Sequence, residues 1–197
     1  MPSKGLKRWE MHLTLSEQPL SETWATRSIS QDDAVLLGRL LYEAYYGTID
    51  YDEETPEEAE QVIQGILSGK YGPLLTMCSF LVEKQGQALG ACMVTHWTDR
   101  RMKTKRPLMT LLMVHPDAKG KGMGTFLARK SIDALMDRGE KEFVLFVTVG
   151  NHDAQHIYQK LGFQVVEEFT TRRRILARFR RPPSTGSGGA EEEKKKV

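Results

Sequence analysis

The chain has 197 residues, of which 40% are hydrophobic, and its 28 Lys and Arg against 26 Asp and Glu give a formal net charge of only +2. This composition is typical of one globular domain and disfavours a nucleic-acid-binding protein, which usually carries a strong positive charge. No apolar run approaches the roughly 18 residues of a transmembrane helix, and the first residues lack the apolar core of a signal peptide. We therefore expect a cytoplasmic protein without membrane or nucleic-acid partners.

The chain divides into three parts by composition. Residues 1–22 show no sustained periodicity and are predicted to form a flexible N-terminal arm. Residues 23–181 contain regular apolar patterns and are predicted to form the domain. From residue 182 the sequence turns to Pro, Ser and Gly and then to EEEKKK, which is typical of a disordered charged tail.

In the first part of the domain, a short strand is predicted over 24–29, followed by a helix that opens at Ser30 and ends at Gly47. Thr55 is expected to cap a second helix, because Pro56 and Glu58 stand at the positions that favour a helix start. The segment between and into these helices is acidic, with Asp50, Asp52, Glu53, Glu54, Glu57, Glu58 and Glu60. These carboxylates fit a solvated helix start, or alternatively an acidic lip for a cationic acceptor.

A hairpin is predicted around the turn Gln85-Gly86. A two-residue loop there places Cys78 opposite Met93 and Cys92 on the other face of the hairpin, which argues against a disulfide. Two reduced thiols indicate a reducing compartment. The basic connector 99–106 is interpreted as a solvated turn, with a phosphate contact as the alternative.

The centre of the chain predicts a strand–turn–helix unit. The apolar run Leu108–Val114 stops at the turn residues His115-Pro116-Asp117, and glycines follow at alternate positions: Gly120, Gly122 and Gly124. A helical pattern then continues to Arg138, and a second apolar, β-branched run covers Phe143–Val149. Two buried strands joined by a helix predict a parallel βαβ unit.

The glycine-rich turn is suited to binding an anion. The first N–H groups of a helix lack partners and carry the positive end of its dipole, and glycines allow a phosphate to approach the main chain. Lys119 and Lys121 add positive charge. The spacing does not match a dinucleotide-binding G-x-G-x-x-G motif, since Thr125 replaces its last glycine, and no Walker G-K-[ST] follows.

Two segments resemble the GNAT superfamily of acyl-CoA-dependent N-acetyltransferases. Residues 119–124, KGKGMG, fit its phosphate-loop pattern [QR]-x-x-G-x-[GA], except that Lys119 replaces Gln or Arg. Downstream, Asn151, Ala154, Tyr158 and Gly162-Phe163 fit its N-x-x-A-x-x-x-Y-x-x-x-G-F segment. The two motifs occur in the family's order, which makes the resemblance more specific than either motif alone.

The resemblance implies an α/β (α+β) GNAT fold, with a mixed central sheet of about six to seven strands and about four helices. The strands 108–114 and 143–149 would splay apart around acetyl-CoA, the acyl donor. Main-chain groups of Met113 and Val114 would bind its pantetheine arm. Its pyrophosphate would lie on the loop Lys119, Gly120, Lys121, Gly122, Met123, Gly124 and Thr125.

The resemblance also makes Tyr158 the candidate acid that protonates the thiolate leaving group, since a phenol has a pKa near 10. A core tyrosine on an amphipathic helix is the alternative. Asn151 is predicted to cap the helix, to hydrogen-bond the cofactor, or to do both. The general base stays open: His96, the acidic residues near Asp50 and a water chain are all candidates, because the strand 108–114 offers only Thr110 as a polar side chain. His115, His152 and His156 have no companions at metal-ligand spacing, so no metal is expected.

The predicted activity is transfer of an acetyl group from acetyl-CoA to a primary amine by direct attack in a ternary complex. A small-molecule acceptor is favoured, and the protein is expected to be a monomer or a homodimer. Two alternatives remain: acetylation of a protein lysine or N-terminus, and a non-catalytic acyl-CoA-binding module.

Overall fold

The computed structural model describes residues 6–17, 24–51, 54–99 and 103–171. Within these ranges the strands are β1 (Leu6–Thr14), β2 (Arg27–Ser28), β3 (Phe80–Lys84), β4 (Gln87–Asp99), β5 (Thr104–Val114), β6 (Glu142–Thr148) and β7 (Gln164–Thr171). The helices are α1 (Ala34–Tyr45), α2 (Pro56–Leu67), α3 (Met123–Asp137) and α4 (His152–Lys160). The predicted tail 182–197 lies outside the described residues.

The strands form one mixed sheet in the order β2-β3-β4-β5-β6-β1-β7. β5 and β6 are parallel, and the other neighbours are antiparallel. The predicted mixed sheet with four flanking helices is therefore confirmed. Among the described residues, no helix combines the length and the apolar character that crossing a lipid bilayer requires.

Each face of the sheet is covered by helices. On one face α1 and α2 pack on alternate residues of β4 and β5, including Met93 and Leu111, and on the other α3 packs on Cys92 and Val94. The predicted start of α2 is confirmed, because Thr55 Oγ1 accepts a hydrogen bond from the Glu58 N–H at 3.2 Å. The apolar residues that recur at helical spacing in α1, α2 and α3 form the faces that pack on the sheet, as the sequence predicted.

The N-terminal segment is a strand inside the sheet. β1 lies between β6 and β7 and pairs with both, so the prediction of a flexible arm over residues 1–22 is wrong for Leu6–Thr14. Met11 and Leu13 enter the core, but Arg8 and Glu10 are buried as well. Buried polar residues interrupt the apolar–polar alternation by which a strand is recognised in a sequence.

The predicted hairpin forms at Gln85-Gly86, but its register differs from the expected one. A bulge between Val82 and Glu83 shifts the pairing by one residue, so that Phe80 lies opposite Cys92. Cys78 and Cys92 consequently share one core cluster instead of lying on opposite faces. Both are buried free thiols.

A second bulge shapes the centre of the sheet. Met93 pairs with Leu111 and Val94 with Met109, which leaves Thr110 as an extra residue in β5. In the described chain, β5 pairs with β6 only at 108–109, immediately before this bulge. Because a bulge bends its strand, β5 turns away from β6 beyond Met109 and a gap opens between them.

Candidate active site

The gap between β5 and β6 is the entrance to a cavity of about 1050 Å³. Its wall is built from both strands, the glycine-rich loop, the residues after α1, and α4. The wall residues near the gap are Tyr45, Asp50, Leu112, Val114, Lys119, Gly120, Gly122, Met123, Gly124, Thr125, Asn151 and Tyr158. The wall also includes Arg8, Lys70, His96, Trp97 and Lys105. One cavity therefore connects the predicted phosphate loop with the predicted acid.

Two glycines shape the loop that opens α3. Gly120 has φ +74° and Gly122, the N-cap of α3, has φ +81°. Only glycine adopts this left-handed conformation without strain. The first backbone hydrogen bond of the helix is donated by the Phe126 N–H to Gly122 O at 3.0 Å. The N–H groups of Met123, Gly124 and Thr125 precede this bond and have no acceptor within the helix. The loop therefore has the geometry of an anion site.

Gly124 serves a different purpose. It is helical, and a Cβ there would lie 3.2 Å from Ile157 Cδ1 and 3.5 Å from Val114 Cγ2. The absence of a side chain lets the first turn of α3 approach α4 and β5 closely. This close approach holds the helix N-terminus against the open edge of β5.

The two loop lysines have different positions. Lys119 Nζ lies 3.4 Å from the Ala44 carbonyl oxygen at the end of α1, and Lys119 lines the cavity. Lys121 Nζ instead donates to the Asp117 carbonyl at 2.8 Å, and Lys121 is not part of the wall. The ammonium group of Lys121 therefore binds the preceding turn and does not line the cavity.

Met113 is also absent from the cavity wall, although the sequence analysis placed it beside Val114 in cofactor binding. Its side chain is fully buried in the cluster formed with α1 and α2. Alternation along β5 explains this, because neighbouring residues of a strand point to opposite faces. Its two neighbours in the strand, Leu112 and Val114, line the cavity.

Tyr158 lies on the cavity side of α4 with 8% of its surface exposed, and its ring meets that of Phe163 edge-on at 5.9 Å. Burial raises the pKa of its phenol above the ordinary value of 10, and the nearby groups Tyr45, Cys92 and Asp50 raise this pKa further. Tyr158 is therefore protonated at neutral pH and presents a hydrogen-bond donor to the cavity.

Asn151 joins two elements of the site. Its Oδ1 accepts from the Ala154 N–H at 3.2 Å, which confirms the predicted cap of α4. Its Nδ2 donates to Asp50 Oδ2 at 2.8 Å. The predicted contact of Asn151 with a cofactor stays a prediction.

Asp50 is the residue that the sequence analysis did not single out from the acidic segment. Only 1% of it is exposed, and its Oδ1 accepts from Thr148 Oγ1 at 2.5 Å. The loop that carries it is fixed by Thr48, whose hydroxyl donates to Tyr45 O at 2.8 Å and accepts from the Asp50 N–H at 3.3 Å. Asp50 therefore links the end of α1 to β6 and, through Asn151, to α4.

Two other carboxylates of the acidic segment, Glu58 and Glu60, have structural roles. Glu58 Oε2 accepts from the Thr55 N–H at 3.0 Å, which completes a capping box, and Glu60 accepts from Gln64 at 2.8 Å. Neither lines the cavity. The described part of this segment thus contributes one carboxylate, Asp50, to the cavity wall.

Arg8 places a cation near Asp50. It lies opposite Thr148 in the β1–β6 register, so the two side chains share one face of the sheet. Arg8 is 3% exposed, and its Nη2 donates to Phe146 O at 3.3 Å. Sequence reasoning missed it because β1 was expected to be an arm.

The histidines do not form a metal site in the described residues, where no group of three His, Cys, Asp or Glu side chains is arranged to hold an ion. His96 Nε2 lies 3.2 Å from Glu140 Oε1, and His115 Nε2 lies 3.2 Å from Glu43 Oε2. Both rings are therefore engaged by carboxylates from neighbouring helices or loops.

A family model described as the acetyltransferase (GNAT) family matches residues 39–163, which is more than half of the chain. The chain belongs to this family. The match runs from the middle of α1 to just beyond α4, and thus includes the glycine-rich loop, Asp50, Asn151 and Tyr158.

Individual proteins agree with the GNAT assignment. The chain is 27% identical over 150 residues to an uncharacterized N-acetyltransferase of Methanocaldococcus jannaschii, covering 75% of this chain and 64% of the relative's length. It is also 27% identical to N-alpha-acetyltransferase 30 of Schizosaccharomyces pombe, over 58% of this chain and 81% of that protein.

Solved structures show the same fold. A GCN5-related N-acetyltransferase from Sphaerobacter thermophilus has a TM-score of 0.62 at 16% identity, over 85% of this chain and 50% of the other. An acetyltransferase from Clostridium acetobutylicum, solved with acetyl-CoA, has a TM-score of 0.55 at 17% identity, over 73% of this chain and 91% of the other.

Proposed function

We propose that this protein transfers an acetyl group from acetyl-CoA to a primary amine by direct attack within a ternary complex. The observation that carries the proposal is the single cavity that runs from the helix N-terminus of α3, through the gap between β5 and β6, to Tyr158 and Asp50. A donor with a pyrophosphate at one end and a thioester at the other fits this arrangement.

Different residues along the cavity would bind or protonate different parts of acetyl-CoA. The N–H groups at the start of α3 would bind the pyrophosphate, because they are unpaired and carry the positive helix dipole. Main-chain groups of β5 beyond Met109 have no partner strand on the β6 side in the described chain, and they would hold the extended arm. Tyr158 would donate its proton to the departing sulfur.

A small-molecule acceptor is favoured by the side chains that line the cavity and by its volume. Arg8 from β1, Lys70 from the segment after α2, and Trp97 from β4 line the cavity. The volume of about 1050 Å³ is at the upper end of typical ligand pockets. Such a cavity suits a donor arm together with a compact amine.

Acetylation of a protein N-terminus is the second candidate. It is supported by the similarity to N-alpha-acetyltransferase 30, which extends over 81% of that protein.

The deciding experiment is calorimetric titration of the protein with acetyl-CoA, with NADH as the control ligand. Gly122→Asp should weaken acetyl-CoA binding by about 100-fold or more, because a carboxylate would face the pyrophosphate at a helix N-terminus. Gly139→Asp is the matched control, since Gly139 has φ +85° and lies at the opposite end of α3. Equal affinities of the two variants would overturn the phosphate-loop assignment.

Turnover separates an enzyme from an acyl-CoA-binding module. Thiol release should be measured with spermidine, kanamycin, L-lysine and a peptide that has a free N-terminus. Binding of acetyl-CoA without transfer to any of them would favour the module. Tyr158→Phe should lower kcat by about 10²- to 10⁴-fold with little change in acetyl-CoA affinity.

A further inference from the structure

Among the described residues, the cavity wall that includes Tyr158 holds one buried carboxylate. Asp50 and Asp153 both line the cavity, but Asp153 is exposed in the first turn of α4, whereas Asp50 is 1% exposed. Asp50 accepts a hydrogen bond from Asn151, the residue that caps α4, and α4 carries Tyr158 on the cavity wall. Asp50 and the predicted acid therefore face the same cavity.

Three elements hold this carboxylate in a fixed orientation. Thr148 at the end of β6 donates to Oδ1, Asn151 at the start of α4 donates to Oδ2, and Thr48 after α1 anchors the Asp50 main chain. A carboxylate offers about four lone pairs, and in the described chain these two donors use two of them. The remaining lone pairs are available to a ligand in the cavity.

The other candidate bases are less suited to the task. His96 is engaged by Glu140 at 3.2 Å, and Thr110 shares its hydroxyl with Thr95 at 2.8 Å. A threonine hydroxyl is also not basic at neutral pH. Among the described wall residues, Asp50 combines a proton-accepting group, burial and fixed orientation.

We propose that Asp50 binds the acceptor amine and accepts its proton during acetyl transfer, with Thr148 as the residue that positions it. This inference rests on the proposed acetyltransferase function. Asn151 links it to the family's second motif, since the amide that caps α4 also holds Asp50.

The protons balance between Asp50 and Tyr158. As the amine nitrogen bonds to the acetyl carbonyl carbon, the C–S bond breaks, an N–H proton passes to Asp50, and the Tyr158 proton passes to the sulfur. Asp50 then carries one proton more and Tyr158 one fewer. Transfer from the carboxylic acid to the phenolate restores both, because a carboxylic acid (pKa about 4) is much stronger than a phenol (pKa about 10).

The test compares Asp50→Asn with Glu57→Gln, a carboxylate of the same acidic segment that lies on α2 away from the cavity. Asp50→Asn should retain acetyl-CoA affinity within about 2-fold and lose at least about 100-fold in kcat/KM for the amine, while Glu57→Gln stays near wild type. Added formate should partly restore Asp50→Ala by supplying the missing carboxylate. Asp50→Asn with kcat/KM within about 3-fold of wild type would overturn the proposal.

Thr148 provides a second variant that keeps the carboxylate. Thr148→Val should lower kcat/KM by about 10-fold because Asp50 loses one orienting bond, and Thr148→Ser should restore it. If Asp50→Asn does not fold, an unchanged kcat/KM in Thr148→Val refutes the proposal. Failure of the acetyltransferase function itself would appear in the wild-type protein, as binding of acetyl-CoA without transfer to any amine.

Discussion

Replacing Asn151 by Ala should remove two interactions at once, the cap of α4 and the hydrogen bond to Asp50. Loss of an N-cap costs about 1 kcal/mol. Loss of a hydrogen bond to a buried carboxylate costs about 1.5–3 kcal/mol more. We therefore expect Asn151→Ala to lower the free energy of unfolding by roughly 2.5–4 kcal/mol.

Thr55→Ala is the matched control. Thr55 caps α2 through a hydrogen bond of the same length, 3.2 Å, as the one that Asn151 makes to α4. Its side chain is exposed, and it has no described link to the cavity. Thr55→Ala should therefore show the cap loss alone, about 1 kcal/mol.

Urea unfolding followed by tryptophan fluorescence, together with thermal melts, measures the difference. For a chain of this size 1 kcal/mol corresponds to about 2–4 °C in Tm, so Asn151→Ala should melt roughly 5–15 °C below wild type and Thr55→Ala about 2–4 °C below it. If the two variants are destabilised equally, within about 0.5 kcal/mol, the bond from Asn151 to Asp50 does not stabilise the fold.

Three further predictions concern other parts of the molecule. Burial raises the pKa of Cys92 to about 12, and Cys78 is buried as well. Neither cysteine should therefore react with Ellman's reagent at pH 8 in the native state, whereas both should react in guanidinium chloride. Reaction of Cys92 in the native state would contradict its burial. The Arg27 guanidinium lowers the pKa of Asp33 in the folded state. The ion pair therefore stabilises the fold above the unfolded-state pKa of Asp33, and this stabilisation is lost as the pH falls through the folded-state pKa. The stability lost in Arg27→Met should therefore be largest near neutral pH and shrink below about pH 4, whereas a loss that is independent of pH would argue against the ion pair. A Cβ at Gly38 would lie 2.7 Å from Glu60 Cα, so Gly38→Ala should force α1 and α2 apart. We expect it to lower the free energy of unfolding in urea by about 1–3 kcal/mol. An unchanged urea midpoint would show that the two helices can separate without a loss of stability.

The sequence predicts the centre of the fold well because several local signals agree there. Leu108–Val114 and Phe143–Val149 are long apolar runs, and the glycines at 120 and 122 occur where the backbone needs positive φ. Asn151 and Thr55 are caps that the chemistry of helix termini requires. Each of these features is decided by residues within a few positions of one another.

Asp50 and Arg8 could not be assigned from the sequence, because their roles depend on distant partners. Asp50 is held by Thr148, 98 positions away. In the sequence it is one of several acidic residues, and two of the others, Glu57 and Glu58, have ordinary positions in the first turn of a helix. Arg8 reaches the cavity only because β1 enters the sheet beside β6. A pattern read along the chain contains neither pairing.

The place of β1 in the sheet has a consequence for synthesis on the ribosome. β1 emerges first, but β6 begins more than 120 residues later and β7 follows after that. At about 5–20 residues per second, β1 waits on the order of ten seconds for its first partner. Met11 and Leu13, which are buried in the folded protein, lack β6 and β7 as packing partners during that interval. Among the described strands, β1 is therefore made first but paired last, and the part of the cavity wall that contains Arg8 is completed only after β6 and β7 have been made.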